Sequence, residues 1–272
     1  MASLAPLLDL LPDERVRALV SARALVTVPE AAHPFLLAAL ARHLEVPVLA
    51  ITGRAEEADH LARDIQAFLG RGGAEVFPAW EVLPGEPISP SVDTMGRRLD
   101  VLARLERGDN LVVVTSAQGA TQLVAPPIGG LDVLTLANGS TVMLEEVTDR
   151  LVAMGYERNY MVERRGEFAV RGGILDVFPP ASERPVRAEL WGDEITSLRS
   201  FAVATQRSLE EMDRVDISPC RELTPSQEVR RRAAELASEE DDPLLAELAE
   251  GVVSPGAERA LALLTGGLRP LT

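Results

Sequence analysis

The sequence lacks the glycines and the lysine of a phosphate-binding loop at the place where such a loop would lie. A phosphate-binding loop uses glycine amides before a helix and a lysine that reaches the charge. All 27 basic residues are arginines, because the sequence contains no lysine. Pro29 and Glu30 stand between an apolar run at 24–28 and a helical pattern that begins at His33. Proline lacks an amide donor and glutamate repels phosphate, so we expect no ATP site, no cofactor and no ATP hydrolysis.

Metal binding and nucleophilic catalysis are also disfavoured. His33, His43 and His60 have no histidine or cysteine partner at the spacing of metal ligands. Cys220 is the single cysteine, and no histidine near it in sequence could activate its thiol. The acidic run at 239–242 is typical of a solvated loop rather than of a paired acid and base. The sequence therefore predicts no metal and no catalytic residue.

Two arginines and a tryptophan remain as residues suited to bind another protein. Side chains alternate between faces along a strand, so Arg187 and Trp191 share the outward face of the strand-like segment PVRAELW. Arg171 takes an outward position in the strand-like run before it. Arginine and tryptophan are enriched at the energetic centres of protein interfaces. We expect one exposed patch on adjacent strands; the same pattern also fits a solvated Arg187–Glu189 pair beside a half-buried edge tryptophan.

The first part of the chain alternates strand-like and helix-like patterns. The apolar runs 24–28, 46–52 and 110–116 predict strands, and 55–70 has apolar residues at helical spacing before a final glycine. Ser89, followed by proline, predicts the start of a further helix. Strands that are apolar throughout and alternate with helices are typical of a parallel α/β sheet.

The middle of the chain changes character. A predicted helix at 142–154 is followed by strand-like runs joined by short turns. Gly172 and Gly173 permit a bulge or a close approach of two backbones within the first run. Strands in immediate succession predict an antiparallel meander in an α+β domain. The strand-like runs are 168–178, 186–191 and 195–203.

The end of the chain, from about residue 215, is acidic and has helical patterns. Thr224 is followed by a proline and then by Gln227, which predicts a capped helix start. We therefore expect this end of the chain to be helical.

Charge and composition limit the partners and the environment. The formal net charge of −15 opposes binding to the phosphate backbone of DNA or RNA. The start of the sequence lacks the basic segment of a secretory signal, and no apolar run is long enough to span a bilayer. A single cysteine fits a reducing compartment. We expect a cytoplasmic protein without a membrane partner.

Several blocks of the sequence resemble the transcription-repair coupling factor (Mfd) family, in the module that is similar to the excinuclease protein UvrB. They include RRGEFAVRGGILDVFPP, RPVRAELWGDEITSLRSF and FPAWEVLPGEPISPSVDTMGRRLDVLARL, and the match runs from about residue 20 to about residue 240. The resemblance implies an α/β fold with three segments. These are a degenerate helicase-like (RecA-like) parallel-sheet domain at 1–129, an inserted α+β antiparallel domain similar to UvrB domain 2 at 130–213, and a helical return segment at 214–272 that completes the first domain.

The same resemblance implies a partner. In this family the inserted domain binds the excinuclease protein UvrA, and the positions similar to its contact residues are Arg171, Arg187 and Trp191. Strand alternation had selected the same three residues. The resemblance therefore predicts a non-catalytic adaptor that recruits UvrA in transcription-coupled nucleotide excision repair.

Other functions stay open at this point. Members of the family are long proteins that act on RNA polymerase and DNA through further domains, which do not fit within 272 residues. The chain is therefore a fragment of an ATP-dependent DNA translocase, a truncated product or a standalone relative. A UvrB-like damage-binding protein is another alternative, but it would need an ATP loop and an aromatic hairpin after the strand at 110–116.

Overall fold

The computed structural model of the chain describes residues 3–21, 26–83, 86–124, 133–238, 242–265, 267, 269 and 271. The α-helices within these residues are α1 (Asp13–Ser21), α2 (His33–Leu44), α3 (Ala55–Leu69), α4 (Val92–Glu106), α5 (Ala117–Thr121), α6 (Leu144–Ala153), α7 (Gln227–Ala237), α8 (Pro243–Glu250) and α9 (Leu261–Leu264). Short 3-10 helices are Ala5–Leu10, Glu30–Ala32 and Ala257–Ala260. The strands are β1 (Val48–Thr52), β2 (Ala74–Val76), β3 (Val112–Ser116), β4 (Leu134–Ala137), β5 (Glu157–Arg158), β6 (Glu167–Arg171), β7 (Ile174–Val177), β8 (Val186–Trp191), β9 (Glu194–Phe201), β10 (Ser208–Glu211) and β11 (Arg214–Ile217).

The chain packs into two compact units. The first contains Met1–Ala79, Val101–Leu123 and Pro270–Thr272, and the second contains Trp80–Asp100 and Val124–Arg269. Compact packing alone does not test which segments form evolutionary domains. The division at 129/130 and 213/214 therefore stays a prediction.

The first unit is built on a three-stranded parallel sheet in the order β1-β3-β2. All five positions of β3 are buried, as expected for the central strand of a parallel sheet. Ala50, Val112 and Val114 from the strands pack in one cluster with Ala58 and Ile65 of α3. The prediction of a parallel α/β arrangement in this part of the chain is confirmed.

The predicted strand at 24–28 is absent from its described part. Residues 24 and 25 lie outside the described residues, and 26–28 are not in a strand. Pro29 follows with φ −56°, and a proline restricts the residue before it and removes a donor from a strand ladder. The 3-10 helix Glu30–Ala32 then leads into α2, so no glycine turn precedes this helix.

Ser91, rather than the predicted Ser89, caps α4. The Ser91 hydroxyl oxygen accepts a hydrogen bond from the Thr94 amide at 3.2 Å. The Ser89 hydroxyl instead donates to Glu258 at 2.6 Å and accepts from the Gly256 amide at 2.9 Å. The tertiary partners of Ser89 therefore decide between two serines that are equally suited to cap a helix.

The C-terminal part also differs from its prediction in two places. Residues Arg214–Ile217 form β11, antiparallel to β4, although helix was predicted from about 215. Val215 and Ile217 are buried, whereas Arg214 and Asp216 are exposed, which is the two-residue period of a strand. Ser226, rather than Thr224, caps α7.

The second unit contains a six-stranded sheet in the order β10-β9-β8-β7-β6-β5. Neighbours from β6 to β10 are antiparallel, which confirms the predicted meander, whereas β5 is parallel to β6. The run 168–178 is a hairpin, β6–β7, and not one strand. Gly172 turns the chain with φ +59°. A side chain at Gly173 would place its Cβ 2.6 Å from the Leu190 carbonyl oxygen, so the expected close approach of backbones is present.

The two faces of this sheet are covered unequally. One face packs on α6 in a large apolar cluster that includes Leu151, Phe168 and Ala188. The opposite face holds a smaller cluster made of Val162, Ala169, Phe178 and Phe201. Polar side chains of β6, β7 and β8 occupy the part of this face that the smaller cluster leaves uncovered.

A buried ion pair in the second unit joins α4 to the segment after β11. The side chain of Arg98 is fully buried, and that of Glu222 is 4% exposed. Arg98 Nε and Trp80 Nε1 both donate to Oε1 of Glu222. Trp80 also packs against the apolar cluster of α7, α8 and α9. The ion pair is therefore enclosed by packed side chains.

Candidate protein-binding site

Asp176 on β7 is the centre of a charged cluster on the less covered face of the sheet. Its side chain is 1% exposed. Arg187 donates to it through Nε at 2.6 Å and through Nη2 at 2.8 Å, one bond to each carboxylate oxygen. Arg171 donates through Nη2 at 2.7 Å. Two cations thus share one buried carboxylate, and we call Asp176, Arg171 and Arg187 the Asp176 cluster.

Arg187 is mostly buried, with 14% of its side chain exposed. Its guanidinium carbon lies 4.7 Å from the centre of the Phe201 ring, and its Nη1 donates to the backbone oxygen of Gln206 at 3.2 Å. Gln206 has a left-handed φ of +57°, and its side-chain amide donates to two backbone carbonyls. Hydrogen bonding to Asp176 raises the pKa of Arg187 above its usual value. Arg187 is therefore fixed in place and permanently charged.

Arg171 is more accessible, with 38% of its side chain exposed. It ends β6 and lies opposite Ile174 across the turn formed by Gly172 and Gly173. Its bond to Asp176 is the one side-chain hydrogen bond that Arg171 makes within the described part of the chain. The other N–H groups of its guanidinium are available to an acceptor on another molecule.

Trp191 ends β8 and is 83% exposed. It pairs with Glu194 across a turn in which Gly192 has φ +60°. Its indole makes no hydrogen bond or ring contact with any described residue. Tyr160, before β6, is a similarly exposed aromatic residue at 87%. An exposed indole at the end of a paired strand offers apolar area that loses little conformational freedom on binding.

The structure brings Arg171 and Arg187 together, but not on adjacent strands as predicted. Strand β7 lies between β6 and β8, and Asp176 joins the two arginines. Arg187 lies on the predicted face, opposite Val186 and Ala188. The exposure predicted for its side chain is wrong, because a buried carboxylate and the Phe201 ring hold it on the sheet. Trp191 is exposed as predicted, but four positions along β8 place it about 13 Å from Arg187.

Asp176 is the residue that sequence reasoning missed. The signal was the pair Gly172 and Gly173, which forms a two-residue turn and sets Arg171 opposite Ile174. Alternation from Ile174 then places Asp176 on the same face as Arg171. Because 168–178 was interpreted as one strand, the pairing of β6 with β7 was not predicted.

Cys220 is fully buried, and burial raises the pKa of its thiol to about 12. The thiol also meets Tyr156, whose hydroxyl donates to the backbone oxygen of Ser218 at 2.8 Å. A protonated and inaccessible thiol is typical of a structural cysteine.

Other candidate chemistry receives little support from the described residues. They contain no group of three or more histidine, cysteine, aspartate or glutamate side chains that could hold a metal ion. No helix among them has the length and apolar character needed to cross a membrane. Of the acidic run 239–242, residues 239–241 lie outside the described residues, and Asp242 caps α8 by accepting from the Leu244 amide at 2.9 Å.

A cleft of about 700 Å³ lies within the second unit. Its charged lining residues are Glu157, Arg164, Arg165, Glu167 and Arg221. Arg164 Nε donates to Glu167 at 3.2 Å, so carboxylates offset part of the guanidinium charge. Neither the Asp176 cluster nor Trp191 lines this cleft. Trp191 and the accessible part of Arg171 lie on the surface outside this cleft, which suits contact with a protein better than enclosure of a small ligand.

Residues 134–223 match the family model of the UvrB interaction domain. The matched segment contains the whole Asp176 cluster and Trp191. The chain is similar over most of its length to curated transcription-repair-coupling factors. It is 44% identical over 255 residues to that of Mycobacterium bovis, which covers 87% of the chain and 20% of the relative.

Two further relatives give the same result. The transcription-repair-coupling factor of Myxococcus xanthus is 35% identical over 215 residues, covering 76% of the chain and 18% of the relative. That of Bacillus subtilis is 33% identical over 198 residues, covering 72% of the chain and 17% of the relative. The chain thus spans about a fifth of the length of the curated relatives it matches.

Proposed function

Because the chain belongs to the transcription-repair-coupling factor family, we propose that it is an adaptor module of nucleotide excision repair that recruits UvrA. The proposed contact surface is the sheet face with Arg171, Arg187 and Trp191. The observation that carries the proposal is the 83% exposed indole of Trp191, which stands on the sheet of the segment that matches the UvrB interaction domain. Contacts with RNA polymerase and DNA are proposed to belong to other segments of a longer protein.

The chemistry of the face supports contact with a protein. Trp191 provides a large apolar ring, and Arg171 provides a cation with N–H groups that can pair with a carboxylate. Both residues lie at ends of paired strands, so little ordering of the backbone is needed on binding. Preorganised aromatic and arginine side chains are typical of interface hot spots.

Replacing Trp191 with alanine is expected to weaken UvrA binding about thirtyfold or more. The reason is that removal of a central aromatic anchor typically costs about 2 kcal/mol or more of binding free energy. The melting temperature should stay nearly unchanged, because the indole is 83% exposed. Titration calorimetry of the chain with UvrA measures the first effect, and thermal unfolding measures the second.

Tyr160→Ala is the matched control for this experiment. Tyr160 is as exposed as Trp191 but lies at the opposite side of the sheet order, next to β5. Its replacement should change UvrA affinity by less than about threefold. Equal losses in both variants, or wild-type affinity for Trp191→Ala, would show that the proposed face is not the contact surface.

We further propose that the first unit is a degenerate helicase-like (RecA-like) domain without an ATP site. Its parallel sheet supports such a fold, and Pro29 and Glu30 before α2 support the loss of the phosphate loop. The purified chain should release only background phosphate from ATP, with or without DNA, and should not bind ATP with magnesium. Stoichiometric ATP binding would instead favour the DNA translocase or the UvrB-like damage-binding alternative.

A further inference from the structure

Arg171 and Arg187 are in different situations, although both contact Asp176. Arg187 is 14% exposed, and three of its nitrogens already donate to Asp176 or to the Gln206 backbone. Arg171 is 38% exposed and makes a single side-chain hydrogen bond within the described residues. A partner can therefore reach the free N–H groups of Arg171 much more readily than those of Arg187.

Asp176 controls where the Arg171 guanidinium lies. A free arginine side chain samples many rotamers, and fixing them on binding costs free energy. The bond from Arg171 Nη2 to the buried Asp176, at 2.7 Å, fixes one edge of the guanidinium before any partner arrives. Arg187 in turn fixes Asp176, since it donates to both of its carboxylate oxygens.

We propose that Asp176 is a positioning residue of the UvrA contact, which holds Arg171 ready to pair with a carboxylate of the partner, and that Arg187 acts through Asp176 without touching the partner. This inference rests on the proposed function and divides its residues by role. Arg171 and Trp191 meet the partner. Asp176 and Arg187 form the support beneath Arg171.

A double-mutant cycle on the UvrA dissociation constant tests the coupling of Arg171 to Asp176. Arg171→Ala should weaken binding about tenfold or more. Asp176→Asn should weaken it by roughly fivefold, because the neutral amide holds the guanidinium less firmly. The double variant should bind like Arg171→Ala within about twofold, since a positioning residue has no effect once its target is gone.

The matched cycle pairs Asp176→Asn with Trp191→Ala. Asp176 is paired with Arg187, and Trp191 lies about 13 Å from Arg187 along β8. The losses of affinity from Asp176→Asn and Trp191→Ala should therefore multiply rather than overlap. Multiplying effects in the Arg171 cycle, or wild-type affinity for Asp176→Asn, would overturn the proposal. Urea unfolding of each variant confirms that the folded fraction is complete during the titrations.

Nitrogen NMR of the arginine side chains provides a test on the free wild-type chain, which needs no variant to fold. The Arg171 guanidinium should rotate and exchange its protons more slowly than that of Arg184, which pairs with the exposed Glu210. Equal mobility would refute the positioning role even if UvrA binds. If UvrA does not bind the wild-type chain while Arg171 is restrained, the proposed function fails, and the positioning role for UvrA fails with it.

Discussion

Replacing Arg187 with alanine is expected to lower the free energy of unfolding by about 2–4 kcal/mol. The substitution removes two of the three hydrogen bonds that arginines donate to Asp176, whose side chain is 1% exposed. Breaking a buried ion pair on one side typically costs about 3–5 kcal/mol, because the remaining charge stays buried without full compensation. Arg171 still pairs with Asp176 in this variant, so we expect a smaller loss. Urea unfolding followed by circular dichroism measures it.

Two variants show whether the buried charge causes this loss. Arg184→Ala removes an arginine whose ion pair with Glu210 is exposed on both sides, and it should cost less than about 1 kcal/mol. Adding Asp176→Asn to Arg187→Ala should recover part of the lost stability, since it removes a buried charge that Arg171 alone compensates only in part. A loss below about 1 kcal/mol for Arg187→Ala would mean that the side chain is solvated, as the alternative interpretation of the sequence had it.

Replacing Arg98 with alanine is expected to have the largest effect on stability, about 3–5 kcal/mol. Arg98 is fully buried, and its partner Glu222 is 4% exposed. The substitution leaves the Glu222 carboxylate buried, with the Trp80 indole as its remaining neutral donor. It also removes the stacking of the guanidinium at 5.4 Å from the Trp80 ring centre. Denaturant unfolding of the whole chain measures the loss.

Arg97→Ala is the matched control for Arg98→Ala, because Arg97 is the next residue of α4. Its side chain is one-third exposed and lies 4.0 Å from Asp93, so its loss should cost less than about 1 kcal/mol. The double variant Arg98→Met/Glu222→Leu should be much more stable than Arg98→Ala, since it removes both buried charges and keeps the volume. Similar losses for Arg97→Ala and Arg98→Ala would argue against a buried ion pair.

Local patterns in the sequence predicted α2 and α3 of the first unit, whereas α1 and α5 were not predicted. The pattern from His33 became α2, and the run 55–70 became α3 with Gly70 as its cap at φ +85°. Helical periodicity and a terminal glycine act within a few residues, so no distant contact is needed to recognise them. The predicted starts of α4 and α7 were less accurate, because two candidate capping residues lie near each other in each case. For α4, Ser89 is engaged in tertiary hydrogen bonds, so Ser91 caps the helix.

The candidate site was predicted in its residue types but not in its arrangement. Alternation along β8 identified Arg187 and Trp191 as sharing a face, and the structure exposes Trp191. Strand β7, however, pairs with both β6 and β8 and lies between them. This strand pairing could be predicted only by recognising the turn at Gly172. Because the turn was not recognised, the position of Asp176 beside Arg187 was not predicted. The burial of Arg187 depends on this contact and therefore could not be predicted either.

The most direct test of UvrA recruitment is whether UvrA covers Trp191. The chain has two tryptophans, Trp80 and Trp191, and incorporation of 5-hydroxytryptophan allows both to be excited apart from ordinary tryptophan in UvrA. Quenching by acrylamide should be strong for Trp191, which is 83% exposed, and Trp191→Phe identifies its contribution. We predict that saturating UvrA removes most of this quenching. Binding of UvrA with Trp191 still fully quenched, or no binding at all, would contradict the account.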